Sequence, residues 1–258
     1  MRRSRPSGRQ IAARLGMEMR GAAVTSQINV AVQKYVHGNA PRVKALDAII
    51  IDRKRAFLYN KVKKNATKYI KNFLVAGIQH EEAEAADGGA PRKTKKDLAL
   101  LSSRIVLDDL SKYRSLLVVR DPINRTLSAF IDKFSNQKEK YSGYEQFELT
   151  PKGFERFVSW LSDGGLGEDL HWDLQTNSIV FPISFYTDVI RLEEINERLP
   201  PLMKAVGYDS ALLREQTVSA ASMRNKTRAS EKSGDWISSS LRRRMEKIYE
   251  KDYNLISV

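Results

Sequence analysis

The stretch 116–134, LLVVRDPINRTLSAFIDKF, constrains the fold more than any other part of the chain. Residues 116–119 form a short, unalternating run rich in β-branched side chains, which predicts a strand buried on both faces, as in a parallel sheet. Asp121-Pro122 then forces a turn, and an amphipathic helix follows. Arg120 stands at the last position of the strand, and Ser128 lies inside the helix. A strand end that delivers an arginine to a helix N-terminus is one way to hold an anion. A buried charge without a partner is costly, so Arg120 is either paired with Asp121 or aimed at an external anion.

Short strands alternate with helical patterns along the rest of the chain. Residues 48–51 and 56–59 read as apolar, strand-forming runs, and residues 67–76 as a helix with Tyr69, Ile70, Phe73 and Leu74 on one face. Thr150-Pro151 carries the N-cap and first-turn proline of another helix, whose stripe is Phe154, Phe157, Val158 and Leu161 and whose stop is Gly164-Gly165. A strand is expected over 186–190, a helix over 193–199 ending at Pro200-Pro201, a polar loop over 214–234, and a last helix over 236–249 burying Ile237, Leu241, Met245 and Ile248. Residues 80–96 read as a loop, residues 98–110 are mixed, and a helix is expected near 26–35. This pattern predicts an α/β fold with helices on both faces of the sheet. Residues 1–45 read as a basic N-terminal extension and residues 46–258 as one domain.

The chain has 258 residues, enough for one α/β domain with a full core. Its formal net charge of +13 favours anionic partners. The absence of cysteine excludes a disulfide framework and a thiolate metal site. His37, His80 and His171 are too scattered to suggest a histidine metal cluster, so no metal is expected. No apolar run reaches membrane-span length, and the basic start lacks the apolar core of a signal peptide, so a cytoplasmic location is expected. That start is either a solvated tail or a peripheral contact with an anionic membrane.

A second anion-binding pattern lies upstream. A strand runs into Lys61-Val62-Lys63-Lys64-Asn65-Ala66-Thr67 and a helix follows, which sets Lys63, the small Ala66 and the Thr67 hydroxyl at a helix N-terminus. The same residues also suit a solvated basic helix face. The GxxxxGK[ST] signature is absent, which argues against a P-loop nucleotide kinase.

Taken together, the two segments resemble the sulfotransferases that use 3′-phosphoadenylyl sulfate (PAPS), in particular the carbohydrate family that includes the chondroitin and dermatan 4-O-sulfotransferases. Val62-Lys63-Lys64-Asn65-Ala66-Thr67 is similar to that family's Pro-Lys-x-x-x-Thr loop and departs from it at the proline. Residues 120–130, RDPINRTLSAF, match its Arg-Asp-Pro-x-x-Arg-x-x-Ser-Ala-Phe/Tyr motif throughout. Three shorter segments follow in order: His171-Trp172-Asp173-Leu174-Gln175, then 186–193, then 245–255. The resemblance spans about residues 56–255 and resembles a bacterial-type soluble member, since the cysteines and membrane anchor of lumenal relatives are missing.

The resemblance implies a P-loop-like three-layer sandwich with a central, mainly parallel sheet flanked by helices. It implies PAPS as co-substrate, with Lys63 beside the 5′-phosphosulfate and Lys64, Asn65, Ala66, Thr67 and Lys68 around it. Arg120 and Ser128 would hold the 3′-phosphate. A carbohydrate or glycolipid hydroxyl would be the acceptor. His171 is the candidate general base, because histidine titrates near neutrality; packing of His171 and Trp172 as plain structure is the alternative. Glu193 is either a base or a loop pin. Arg125 and Lys133 either line the acceptor cleft or are exposed helix charges. A basic nucleic-acid-binding module is the competing class, but no aromatic residues interleave the basic runs, so a nucleic-acid partner is not expected.

Overall fold

The computed structural model describes residues 48–52, 54–74, 112–136, 144, 146–208 and 229–256. The basic extension 1–45, the helix expected near 26–35, the loop 80–96 and residues 98–110 lie outside the described residues.

A four-stranded sheet organises the domain. Strand β1 (Ile49–Asp52) pairs antiparallel with β2 (Phe57–Asn60), with Ile49 opposite Asn60 and Asp52 opposite Phe57. Strand β2 pairs parallel with β3 (Arg114–Val119), and β3 pairs parallel with β4 (Asp188–Arg191). The spatial order is β1-β2-β3-β4. The tight reversal from β1 to β2 is held by Asp52, whose carboxylate accepts from the Arg55 backbone N–H at 3.2 Å and pairs with its guanidinium at 2.8 Å.

Successive strand residues point to opposite faces, and both faces are covered. Ile50, Tyr59, Leu116, Val118 and Ile190 pack on one side. They meet Tyr69, Ile70, Phe73 and Leu74 of helix α1 (residues 67–74) and Leu199, Leu202 and Met203 of helix α4 (Ile195–Ala205). On the other side Ile49, Ile51, Leu58, Leu117 and Val119 meet Ile179, Val180, Phe181 and Tyr186. Leu255 and Ile256, from the last helix, α7 (Glu250–Ile256), are packed there too. The fold is therefore α/β with a mainly parallel sheet flanked by helices, and β3 is buried on both faces as its unalternating sequence predicts.

A separate aromatic cluster joins helix α2 (Pro122–Asn136) to α3 (Pro151–Ser162), α5 (Ala229–Trp236), α6 (Ser239–Ile248) and Trp172. Phe130 sits among the rings of Phe134, Phe154 and Phe157, with centroids 4.9–5.2 Å away. Helix α3 begins as expected: the Thr150 hydroxyl accepts from the Gly153 N–H at 3.0 Å and Pro151 occupies the first turn.

Four expectations need correction. Helix α4 does not stop at Pro200-Pro201; it runs through both prolines to Ala205. The carbonyls that lose an N–H partner belong to Asn196 and Glu197, on exposed residues where water can serve them, while Leu199, Leu202 and Met203 are held in the core. The polar residues from 229 onward are not loop but helix α5. The final helix is two elements: Ser238 caps α6 through the Leu241 N–H at 3.2 Å, and Tyr249, rather than Ile248, is fully buried. The strand expected over 186–190 starts two residues later and ends at Arg191, as β4; the Tyr186 and Thr187 hydroxyls before it bond Asn60 and Ser115.

Candidate active site

Two loops leave the C-terminal ends of the parallel neighbours β2 and β3 and meet. The first, residues 61–66, has no glycine, yet Lys64 (φ 69°) and Ala66 (φ 55°) both adopt left-handed backbone. Such a conformation costs about 1 kcal/mol for each residue with a Cβ, so surrounding contacts must hold it. Three do. The Thr67 hydroxyl donates to the Val62 carbonyl at 2.6 Å, closing the loop on itself. Arg120 Nη1 donates to the Lys64 carbonyl at 3.2 Å, and Arg125 Nε donates to the Lys63 carbonyl at 3.0 Å. Both arginines come from the second loop and its helix.

Asn65 is fully buried and completes the seam from the other direction. Its amide donates to the Val118 carbonyl at 2.9 Å and to Gln175 Oε1 at 2.6 Å. Gln175 also accepts from the Arg120 backbone N–H at 3.1 Å and donates to the Arg120 carbonyl at 2.8 Å. One glutamine amide thus ties the Lys63 loop to the Arg120 strand end. Asp252 of α7 fixes the glutamine in turn, accepting from the Gln175 and Thr176 N–H groups at 2.8 and 3.1 Å.

Arg125 was expected in a cleft or on an exposed helix face; it is neither. It is fully buried and donates to three carbonyls, those of Lys63, Leu170 and Asp173. The second expectation for Lys133, an exposed charge, also fails: only 4% of the residue is exposed. Both lie on the buried side of α2, where the stem of a long cation can pack while its head finds a partner. Asp121 favours the Arg120 charge through its field but bonds elsewhere. It caps α2 through the Asn124 N–H at 2.8 Å and accepts from the Tyr253 hydroxyl at 3.1 Å.

Arg120 is largely desolvated, which pushes its pKa down to about 10; the field of Glu193 opposes this and that of Arg125 adds to it. Glu193 itself is exposed, following β4. Burial also lowers the Lys64 ammonium, with Asp132 at 3.2 Å opposing and Arg120 and Lys133 adding to the drop. Two half-buried cations that repel one another are stabilised by an added anion. Lys63 and Lys68 are exposed on the same loop and its helix, while Ser128 is buried on α2.

His171 lies in a turn joined to the seam by Arg125, which donates to the Leu170 and Asp173 carbonyls as well as to that of Lys63. Lys133 and Lys63 both act on the His171 ring, and with burial, the largest cause, they hold its pKa below the ordinary histidine value. The ring Nδ1 lies 2.5 Å from Asp169 Oδ1, which also accepts from the His171 backbone N–H at 2.8 Å. Trp172, next to it, is fully buried and donates to the Gly165 carbonyl at 3.1 Å. Trp172 is core, whereas His171 beside it is half-buried and paired with Asp169. Among the described residues no three histidine, aspartate or glutamate side chains gather as a metal site, and no helix is long and apolar enough to cross a membrane.

A family model, described as the sulfotransferase family, matches residues 47–256. The chain belongs to the sulfotransferase family. No curated protein and no solved structure matches it. The sulfotransferase match covers the sheet, both basic loops and the His171 segment, so the seam described above is the family's own region of the chain. Sulfuryl transfer, of the sulfotransferase class, is the reaction that goes with this membership. Arg125, Gln175 and Asp252 are the structural parts that residue patterns alone understate. Gln175 and Asp252 each fall inside a short segment that resembles the family, but nothing in their spacing indicates that they meet.

Proposed function

We propose that this sulfotransferase moves the sulfuryl group of PAPS to a hydroxyl of a carbohydrate or glycolipid acceptor. The observation that carries the reading is the seam between the two basic loops. Arg120 and Arg125 bond the carbonyls of Lys64 and Lys63, so the strand end with Arg120 and the loop with Lys63 are held as one rigid unit. A ligand with phosphates at two ends would need that coupling. The residues present suit such a ligand, because desolvated Lys64 and Arg120 gain from anions that replace lost water.

In this reading the exposed Lys63 stabilises charge on the bridging oxygen as the leaving nucleotide departs. Lys64, Lys68 and the backbone of Asn65, Ala66 and Thr67 line the 5′-phosphosulfate; the Thr67 hydroxyl proton is held by the Val62 carbonyl. The Asn65 side chain is not free for it, being committed to Val118 and Gln175. Arg120 and Ser128 take the 3′-phosphate. His171 accepts the acceptor hydroxyl's proton while the oxygen bonds to sulfur, and the electron pair of the broken S–O bond stays on the phosphate.

Thermal denaturation with adenosine 3′,5′-bisphosphate tests the donor half. A native-state ligand at 100 times its Kd stabilises by about 2.7 kcal/mol, so a rise of several degrees is expected. Adenosine 5′-monophosphate should give a much smaller rise, and Arg120→Ala should remove the difference. Equal shifts for the two nucleotides in the wild type would overturn the assignment of PAPS. Transfer of labelled sulfate from PAPS to a panel of glycans and glycolipids tests the acceptor half.

A further inference from the structure

We propose that Asp169 positions His171 and fixes the tautomer in which Nε2 is the free base, which makes Asp169 a positioning residue for the transfer reaction. The inference rests on the reading of His171 as the general base.

The geometry is specific. Asp169 Oδ1 receives the His171 backbone N–H at 2.8 Å and stands 2.5 Å from Nδ1 of the same residue. A carboxylate anchored on the backbone in this way cannot follow the ring if it rotates, so it selects one ring orientation. An ionised carboxylate only accepts, so Nδ1 must carry the proton, and in the neutral ring the lone pair is left on Nε2. The Asp169 and His171 side chains are 26% and 19% exposed, so neither is a freely solvated surface group.

Asp169 is itself placed by its surroundings. Its backbone carbonyl accepts from the Trp172 and Asp173 N–H groups at 3.1 and 2.9 Å, so residues 169–173 form one compact turn. Arg125, bonded to the Leu170 and Asp173 carbonyls, feels the Asp169 charge from the α2 side. Glu168, the neighbouring acid, is turned away to the Tyr144 hydroxyl at 2.7 Å.

The charged groups acting on the ring come from three elements. Lys133 on α2 and Lys63 on the β2–α1 loop favour the neutral ring, and Asp169 favours the protonated one. At neutral pH the ring is neutral and ready to accept. When the acceptor hydroxyl proton moves to Nε2, the imidazolium formed lies against the Asp169 carboxylate, which stabilises it as it appears. The hydroxyl oxygen's electron pair forms the new O–S bond. The old S–O bond breaks, and its electrons leave on the nucleotide phosphate.

Nitrogen NMR of the protein without nucleotide provides the test, with the His171 signal assigned by its loss in His171→Gln. The chain has three histidines, so the assignment is direct. In wild type the neutral ring is expected as the Nδ1–H form. Asp169→Asn keeps the shape and removes the charge, and should lower the His171 pKa by about half a unit or more. Asp169→Ala should let the Nε2–H form appear. Turnover is the second readout: Asp169→Asn should reduce kcat about 10-fold or more with KM little changed, and the acid limb of the pH–rate profile should move to lower pH. An unchanged pKa and tautomer in both Asp169 variants overturns the proposal, as does an unchanged kcat in Asp169→Asn. Full turnover in His171→Gln overturns the reading of His171 as the base even where the NMR result stands, so the two failures are told apart.

Discussion

Arg125 is the residue on which most of the site's rigidity converges. One guanidinium serves carbonyls from the Lys63 loop and from residues 170 and 173. A lysine there can reach one of these, and an alanine none. Leaving buried acceptors unsatisfied costs about 1–3 kcal/mol each, so Arg125→Ala should lose on the order of 3 kcal/mol or more. The urea midpoint should fall accordingly, with Arg125→Lys between alanine and wild type. Arg120 behaves differently although it also donates to a loop carbonyl. It is only half-buried, and removing it deletes a strained positive charge. Arg120→Ala should therefore change stability far less than Arg125→Ala while weakening nucleotide binding at least about tenfold by titration calorimetry. Equal losses of stability in the two variants would contradict this division of roles.

The turn after α3 and the last helix each decide where residues 169–176 lie. A Cβ on Gly165 would come within 2.3–2.4 Å of three atoms of the Trp160 indole, and the Gly165 carbonyl holds the Trp172 ring. Gly165→Ala should cost about 1–3 kcal/mol by overpacking and lower the melting temperature. Helix α7 acts at longer range. Asp252→Ala removes the acceptor of two N–H groups at 175 and 176, and Gln175 is the amide that joins Asn65 to Arg120. Nucleotide affinity should fall in Asp252→Ala even though the helix carries none of the proposed ligands; a loss of stability with unchanged affinity would show that the seam survives without its anchor.

At the scale of the whole molecule, charge sets the response to acid. The formal net charge is +13 at pH 7, and protonating carboxylates raises it further. Asp188, His171 and Asp252 act with differing signs. Asp188 is paired with Arg114 across β3 and β4 at 2.8 and 3.1 Å, which holds its pKa below 3.8 against the cost of burial. Its contribution is full above pH 3.8 and is lost as pH falls through the folded value. Because the pair is partly exposed, it is worth about 0.5 kcal/mol. His171, held below 6.5, disfavours the folded state as pH drops below 6.5 toward its folded value. Asp252 opposes both: burial raises it above 3.8, so its charge is a penalty that is relieved as pH falls through the raised value. The His171 contribution should therefore lower the urea midpoint as pH falls below 6.5, while the Asp188 loss adds only below pH 3.8. The loss should be smaller in His171→Gln, and added salt should reduce the decline by screening like charges.

Much of this arrangement is legible in the residues. The unalternating run before Arg120 announces a doubly buried strand, Thr150-Pro151 announces α3, and the apolar face of α1 is visible as Tyr69, Ile70, Phe73 and Leu74. These are local consequences of side-chain period and capping, which a linear pattern records. Helix α4 is the contrary case, where a pair of prolines reads as a stop and core packing carries the helix through.

The α/β class, the two strand–loop–helix units and their basic residues are local matters. Each depends on neighbours a few positions apart. Which of those residues hold the frame is set by packing between distant segments. Arg120 and Arg125 look alike in the chain, yet one reaches a half-buried seam and the other three interior carbonyls. Asn65, Gln175 and Asp252 are separated by long stretches of sequence and meet in one network. The physical reason is that a buried polar group is defined by its partners, and parallel strand pairing chooses those partners by bringing distant segments to one end of the sheet.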